Sequence, residues 1–355
     1  MSPSSPGVRF CASADGVRLA YTTIGRGSPV VRAAYWLTHI EHDAHSIIWG
    51  PWLREFAQRA KLVRYDQRGC GLSDREVGDI SFDAWLRDLE TVVDAAGLDR
   101  FSLLGMSQGA AIAIAFAVRH PERVARLVIY GGFALGRRRR GSREQEEEAE
   151  LQERAIALGW GRENPAFRQI FTSQFMANAT AEELAAWDEM QRLSCSAKTA
   201  ARIVKVTHRL DVTDLLGQVR VPTLVMHATQ DARIPFAQGR AIASAIPGAR
   251  FIPLESAGHT LAPREPAFRL FFDELAAFIA GASESAPGAI DGLTPRETQL
   301  LEQVARGKSN EEIAATAGIS PKTVRNVVSV LFDKLAVHTR AEAIVKAREA
   351  GFGGG

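Results

Sequence analysis

The chain has 355 residues, 46% of them hydrophobic and 24% charged, with a formal net charge of +2. That length exceeds one ordinary domain, and that composition supports a real core. Together they exclude a disordered chain and favour one large domain plus a small one. A near-neutral total does not exclude a local basic patch or nucleic acid as partner.

Three scattered cysteines, Cys11, Cys70 and Cys195, fit neither a disulfide framework nor a zinc cluster, so a reducing compartment and no metal or other cofactor are expected. Residues 1–10 lack a basic start followed by an apolar run, and the longest apolar stretches are too short to span a bilayer. The expectation is a cytoplasmic protein with no membrane partner.

In chain order, short β-branched runs predict strands at residues 17–24, 30–35, 62–65, 101–104 and 127–130. Amphipathic helices are predicted at residues 52–59, 81–96 and 108–119. Each helix is followed by another apolar run, which is the pattern of crossover units in a mainly parallel sheet. Residues 143–159, 165–175, 181–193 and 197–210 then read as helices with no convincing strand between them. Strands resume at residues 223–227 and 250–254, with a helix at 266–279. A helical block at about residues 133–212 predicts a cap inserted over the sheet edge where open α/β folds bind ligands. The run Arg137–Arg140, followed by Glu144 and Glu146–Glu148, reads as a solvated loop and helix start more readily than as a phosphate grip. Residues 281–292, AGASESAPGAIDG from residue 280 on, have the small polar composition of a linker. The organisation expected is an α/β domain over residues 1–280, that linker, and an all-α domain over residues 293–355.

Gly105-Met106-Ser107-Gln108-Gly109 follows an apolar strand and opens a helix, the context of a nucleophile elbow. Gln108 sits at a helix N-terminus, where its backbone N–H is a ready oxyanion donor. Downstream, Asp231 falls just beyond the strand at 223–227 and His259 just beyond that at 250–254. In this order His259 would take the proton of Ser107, and Asp231 would orient the imidazole. Each has a plainer reading alone: a turn serine, a turn former before Pro235, a surface histidine. Together they favour the triad.

These stretches resemble the α/β-hydrolase family over roughly residues 8–280. YDQRGCGLSD at 65–74, LLGMSQGAAIAIAFAVRHPERVARLVIYGG at 103–132 and VPTLVMHATQDARIP at 221–235 carry the likeness. Asp66 and Arg68 are expected to brace a loop, and Trp160 to pack the cap. Active members commonly carry His-Gly or a glycine-rich stretch after the third strand. This chain reads VVRAAYWLTH there, so Tyr35 or Trp36 would supply the second oxyanion donor and narrow the pocket. With no arginine or lysine evident in a pocket-lining loop, neutral to moderately apolar ligands are expected.

The C-terminal region opens with LTPRE at 293–297. Thr294 suits a helix cap, Pro295 the first helical position and Glu297 the third. Leu300, Leu301 and Val304 give an apolar stripe, and Gly307 ends the helix. A second helix begins after Ser309, Gly318-Ile319-Ser320 makes a tight turn, and a third helix starts near Pro321. Its face with Val324, Val327, Val328, Leu331 and Leu335 is apolar. The other face carries Lys322, Thr323, Arg325, Asn326 and Ser329, as a helix placed in the major groove requires.

Phosphate contacts are expected from Lys308, Ser309, Lys322, Lys334 and Arg340, with Ser320 at the turn. Base-edge contacts are expected from Thr323, Arg325, Asn326 and Ser329. A fourth helix at 340–350 would serve a dimer contact. The stretches LTPRETQLLEQVARGKSNEEIA and GISPKTVRNVVSVLFDKLAVHTRAEAI resemble the LuxR-type helix-turn-helix family, with Val327 where that family often has histidine. The resemblance implies binding of double-stranded DNA as a homodimer. The whole chain then reads as a transcription regulator whose hydrolase-like domain senses a small molecule, bound intact or cleaved. Two alternatives stay open: an active serine esterase, lactonase or amidase with a DNA-binding tail, and an interaction module whose tail only dimerises.

Overall fold

A computed structural model describes residues 7–160, 162, 164, 166–284, 295–317, 319–335, 337, 339–349 and 352. The chain divides into two compact units, Met1–Ala280 and Gly281–Gly355.

The first unit is built on an eight-stranded sheet. Its strands are β1 (Arg9–Ala12), β2 (Arg18–Ile24), β3 (Pro29–Arg32), β4 (Lys61–Tyr65), β5 (Phe101–Met106), β6 (Val124–Tyr130), β7 (Thr223–Ala228) and β8 (Arg250–Leu254). They lie in the order β1-β2-β4-β3-β5-β6-β7-β8. The β1–β2 and β2–β4 pairs are antiparallel, and all the others are parallel. The sequence pattern does not predict β1, because RFCA is short, half-polar and exposed, with no alternation to mark it.

Helices α1 (Ile40–His45), α2 (Trp49–Arg59), α3 (Phe82–Ala95) and α4 (Gly109–Arg119) connect β3, β4, β5 and β6 in turn. Ser81 caps α3 by accepting from Ala84 N at 3.2 Å. All residues of α4 from Gly109 to Ala117 are buried, which its Ala/Ile/Phe composition dictates.

Between β6 and β7 the chain forms the expected helical block: α5 (Arg143–Gly159), α6 (Ala166–Phe175), α7 (Ala181–Ser194), α8 (Ala197–Thr207) and the single turn α9 (Thr213–Leu216). Its helix starts are written locally. Ser142 and Ser196 cap α5 and α8, and Thr180 with Glu183 forms a reciprocal capping box on α7. α10 (Phe236–Ala245) and α11 (Pro266–Glu284) complete the unit. α11 runs four residues into the stretch assigned to the linker, and the rest of that stretch lies outside the described residues. Trp52 packs against Phe268, Phe271 and Phe272 of α11 and against Tyr130, and its Nε1 donates to Leu261 O at 3.2 Å. This aromatic cluster pins the loop after β8.

The second unit contains α12 (Pro295–Ala305), α13 (Asn310–Ala317), α14 (Pro321–Leu335) and α15 (Arg340–Glu349) around a core of its own. Leu300, Leu301, Val304, Ile313, Val324, Val328, Leu331 and Leu335 are buried in it, with Val327 packed at its edge. Gly307 has φ +79, a left-handed turn that lets Lys308 N donate back to Gln303 O at 3.2 Å and close α12. The Thr294 cap and the Gly318 turn fall outside the described residues.

Candidate functional site

The strand order reverses between β3 and β5, so the loops leaving these two strands diverge and open a crevice at their C-terminal ends. Ser107 stands at the end of β5 with φ +50, a left-handed conformation that costs a non-glycine residue about 1–2 kcal/mol. Its N–H donates to Tyr130 O at 2.9 Å. Both flanking glycines have steric reasons. A Cβ on Gly105 would lie 2.7 Å from Ala110 Cα, and one on Gly109 2.9 Å from Ala34 O. The second contact shows how closely the start of α4 approaches the loop after β3, which carries Tyr35 and Trp36. Leu37 in that loop has φ +46, and among the described residues Leu37 and Ser107 are the non-glycine positions with positive φ. Backbone strain of this kind tends to gather at functional sites.

Asp231 follows β7 and His259 follows β8. His259 Nδ1 lies 2.7 Å from Asp231 Oδ2, while Asp231 Oδ1 accepts from the backbone N–H of Arg233 and Ile234 at 2.8 and 2.9 Å. Burial pushes the Asp231 carboxyl up, but the His259 charge and hydrogen bond, with the Ile234 N–H, outweigh it and hold the group below the ordinary carboxylate range. Tyr130 Oη donates to His259 O at 2.8 Å and fixes the histidine backbone. Gly131, with φ +55, leaves room for the ring: a Cβ there would sit 3.0 Å from His259 Cε1. Nothing in the sequence alone marks Gly131, because the ring it accommodates belongs to a residue far along the chain.

Ser107 and His259 line one hollow of about 10 Å³ together with Tyr35, Trp36, Trp49 and Trp187. A second hollow of about 20 Å³ meets Ser107 from the other side, bounded by Gln108, Thr207, His208 and Arg233 among others. Each has space for roughly one water molecule. Aromatic side chains crowd the site: Trp36, one of the two expected there, packs on Trp160 of the cap at 5.7 Å, and Phe175, which the sequence did not mark, packs on His259 at 5.5 Å. Trp160 Nε1 donates to Cys195 O, a cap-internal bond.

The expectation of a pocket free of basic side chains is overturned. Arg137, Arg140 and Arg233 all line the second hollow. Sequence reasoning misses them because Arg233 stands two residues after Asp231 in an ordinary turn sequence, and the arginine run is adjacent to glutamates that suggest solvation.

The Gln108 side chain is held in a buried relay. Its amide lies 2.9 Å from the Gln67 amide and 2.7 Å from Thr207 Oγ1 of α8. With the Gln67 oxygen accepting from Trp85 Nε1 at 3.3 Å, its nitrogen reaches Tyr35 O at 3.2 Å. One chain of polar groups thus ties the Ser107 turn, the β3 loop and the cap. No backbone acceptor takes the N–H of Trp36 or Gln108 among the described residues. Asp66 and Arg68 brace as expected: Asp66 accepts from Ile40 N and Leu72 N, and Arg68 pairs with Asp88 and Asp15. Among the described residues, no cluster of three or more His, Cys, Asp or Glu offers a metal site, and no helix is long and apolar enough to cross a membrane.

In the second unit, Lys322, Thr323, Arg325, Asn326 and Ser329 are exposed on α14. Ser320 caps α14 by accepting from Thr323 N at 3.1 Å, and Ser309 forms a reciprocal capping pair with Glu312 on α13. Lys308 is half-buried. Two residues expected at phosphates have internal partners. Lys334 Nζ pairs with Glu297 of α12 at 2.8 Å, and Arg340 donates to Asn310 Oδ1 and Lys308 O. Sequence spacing could not reveal these bonds, since Lys334 and Glu297 are 37 positions apart.

Residues 42–266 match the family described as alpha/beta hydrolase fold, and residues 291–347 match bacterial regulatory proteins, luxR family. A relative named "Putative carbamate hydrolase RutD" from Azorhizobium caulinodans is 27% identical over 256 residues, covering 70% of this chain and 90% of its own length. Among solved structures, an esterase from Exiguobacterium antarcticum superposes with TM-score 0.65 at 22% identity, covering 76% of this chain and 98% of that one. An enol-lactonase from Burkholderia xenovorans superposes with TM-score 0.62 at 21% identity, covering 77% of this chain and all of that one. These structural likenesses concern the fold. The chain belongs to the alpha/beta hydrolase fold family, and it carries a LuxR-type DNA-binding domain fused behind that domain.

Proposed function

We propose that the chain is a cytoplasmic one-component transcription regulator. In this reading residues 1–280 receive a small molecule at Ser107 beneath the cap, and residues 293–355 bind double-stranded DNA as a homodimer. The observation that carries it is the fusion of a LuxR-type domain to a hydrolase fold in which Ser107 and His259 line one hollow and Asp231 lies 2.7 Å from His259. In this conformation each hollow has room for about one water, so in this reading a ligand enlarges them by shifting the side chains and cap helices around them. A shift of α8 would break the Thr207–Gln108 bond and so distinguish ligand-free from ligand-bound states. A ligand shifts DNA affinity only by its differential affinity for those two states.

The chemistry available at the site follows from the tautomer. With Nδ1–H donated to Asp231, Nε2 of His259 is left to accept the Ser107 proton, and the Gln108 and Trp36 N–H groups are the oxyanion donors. The Asp231–His259 bond and the left-handed Ser107 favour a second reading, a serine hydrolase of esters, lactones or amides with a DNA-binding tail. The carbamate hydrolase name of the relatives points the same way.

Two assays on the full chain separate the readings. Mobility shifts on DNA upstream of its own coding sequence should show salt-dependent binding that a small molecule alters. Short-chain nitrophenyl esters should give Ser107-dependent turnover below about 1 s⁻¹, the lower end for dedicated enzymes. Faster turnover lost in Ser107→Ala favours the hydrolase. Absence of DNA binding even at low salt refutes the regulator and leaves the interaction module.

A further inference from the structure

The arginine run divides in the folded chain. Arg138 is half-buried and paired with Glu153 and Glu146, and Arg139 is exposed. Arg137 and Arg140 instead line the 20 Å³ hollow that opens on Ser107, where Arg233 joins them from the loop after β7. No carboxylate lines this hollow among the described residues.

Arg140 is half-buried. Its Nε donates to Leu135 O at 3.0 Å, its guanidinium lies 5.8 Å from the Phe133 ring, and it forms no ion pair among the described residues. Arg233 is 7% exposed and donates to the neutral amides of Gln152 and Gln174, both at 3.1 Å. Arg137 pairs with Glu148 at the outer side and donates to Arg233 O. Burial first, then repulsion from Arg137, pulls the Arg140 guanidinium down to about 10. Burial with Arg137, partly offset by Asp231, pulls Arg233 down to about 9. The same wall holds Trp36, whose Nε1 is buried with no acceptor among the described residues. A half-buried guanidinium that forms no ion pair among the described residues, as Arg140 is, gains from an anion brought to it.

We propose that Arg140 and Arg233, with Arg137 at the rim, form a carboxylate subsite beside Ser107, so that the ligand of this domain is an acyl compound bearing a free carboxylate. The inference rests on the reading of Ser107 as the ligand site and names its substrate class. A carboxylate suits the planar guanidinium fork and is small enough for this wall. The opposite hollow is aromatic, and it would take the uncharged remainder of the molecule.

The test uses the full chain carrying Ser107→Ala, which keeps an ester intact, in titration calorimetry. Probes are monomethyl succinate, glutarate and adipate, each set against its dimethyl ester. At least one monoester should bind roughly 10- to 100-fold more tightly than its diester, the span expected for a charge-assisted bidentate contact. Added salt should narrow that preference. Arg140→Gln should abolish it and Arg140→Lys restore part of it; Arg233→Lys, which retains a buried cation, should weaken it if Arg140→Gln does not fold. Equal or tighter binding of the diesters, or a preference that survives Arg140→Gln, overturns the subsite. Binding of neither class, with neutral nitrophenyl esters still consumed through Ser107 in the wild type, also overturns it and leaves the site standing. Binding of neither class with no Ser107 chemistry removes the underlying reading, and the subsite with it.

Discussion

A single methyl group at Gly131 is the sharpest perturbation the site offers. Gly131→Ala places a Cβ 3.0 Å from His259 Cε1, 3.3 Å from Nδ1 and 3.7 Å from Asp231 Oδ2. Carbon atoms rest at about 3.5–4.0 Å, so the imidazole must yield by about 0.5 Å. Its backbone is held by Tyr130 and its Nδ1 by Asp231, so the displacement falls on the orientation of the ring in the hollow it shares with Ser107. A 1 Å misplacement of a reacting group costs on the order of 100-fold, so half of that predicts roughly a 10-fold loss of Ser107 reactivity. The substitution also places alanine at φ +55, a separate cost of about 1–2 kcal/mol. Gly97→Ala supplies the control, because Gly97 has φ +65 with nothing within 4 Å of its Cβ. The assay is the rate at which a fluorophosphonate labels Ser107, with thermal unfolding measured on both variants. Both should lose similar stability, and only Gly131→Ala should label slowly. Equal labelling rates in the two variants would refute the assignment of His259 as the base that serves Ser107.

Asp231→Asn should keep its loop, since an amide oxygen still accepts from Arg233 and Ile234 N, while Ser107 labelling falls by on the order of 10⁴; a loss under tenfold would remove Asp231 from the triad. Burial holds His208 down to about 4, against its hydrogen bond to Glu153 and with Arg233 and Arg137 adding repulsion. The unfolded chain takes up that proton below about pH 6.5 and the folded chain does not, so stability is lost as pH falls from 6.5 toward 4, by about 2 kcal/mol at pH 5. All six tryptophans lie before residue 188, so urea unfolding followed by tryptophan fluorescence reads the first unit alone; the loss between pH 7 and pH 5 should shrink by that amount in His208→Gln, and an unchanged loss counts against the reasoning. In the second unit, Lys322→Ala should lower the salt dependence of DNA binding by about one ion, whereas Arg325→Ala should relax sequence preference by about 1–3 kcal/mol; identical effects of the two would dissolve the distinction between backbone and base contacts. Lys334→Met should cost the second unit up to about 1 kcal/mol of stability through loss of its Glu297 pair, which chemical unfolding monitored by helical circular dichroism of the second unit would detect.

What the sequence determined by itself is local in origin. Helix starts at Ser81, Ser142, Thr180, Ser309 and Ser320 are written by a capping side chain and the next few residues. The strand–glycine–serine–glycine–helix signature of residues 101–119 is equally short-range, and so is the apolar stripe of α14. The order of Ser107, Asp231 and His259 after three strands was legible because parallel crossover units place successive strand ends on one edge.

Only the tertiary structure decided how much room remains there, since it depends on Trp36, Trp49, Phe175 and Trp187 arriving from separate elements. It also decided the charge of the site. Arg140 and Arg233 are far apart in the chain, each is adjacent in sequence to residues that suggest a solvated turn, and their convergence on Ser107 arises from the cap folding back over the sheet. Lys334 and Arg340 changed in the same way, from free cations on a helix to braces within the domain, because their partners lie 37 and 30 positions away. Short-range patterns fix which element a residue joins; whether its charge meets solvent, a partner or a ligand is settled by packing between elements distant in the chain.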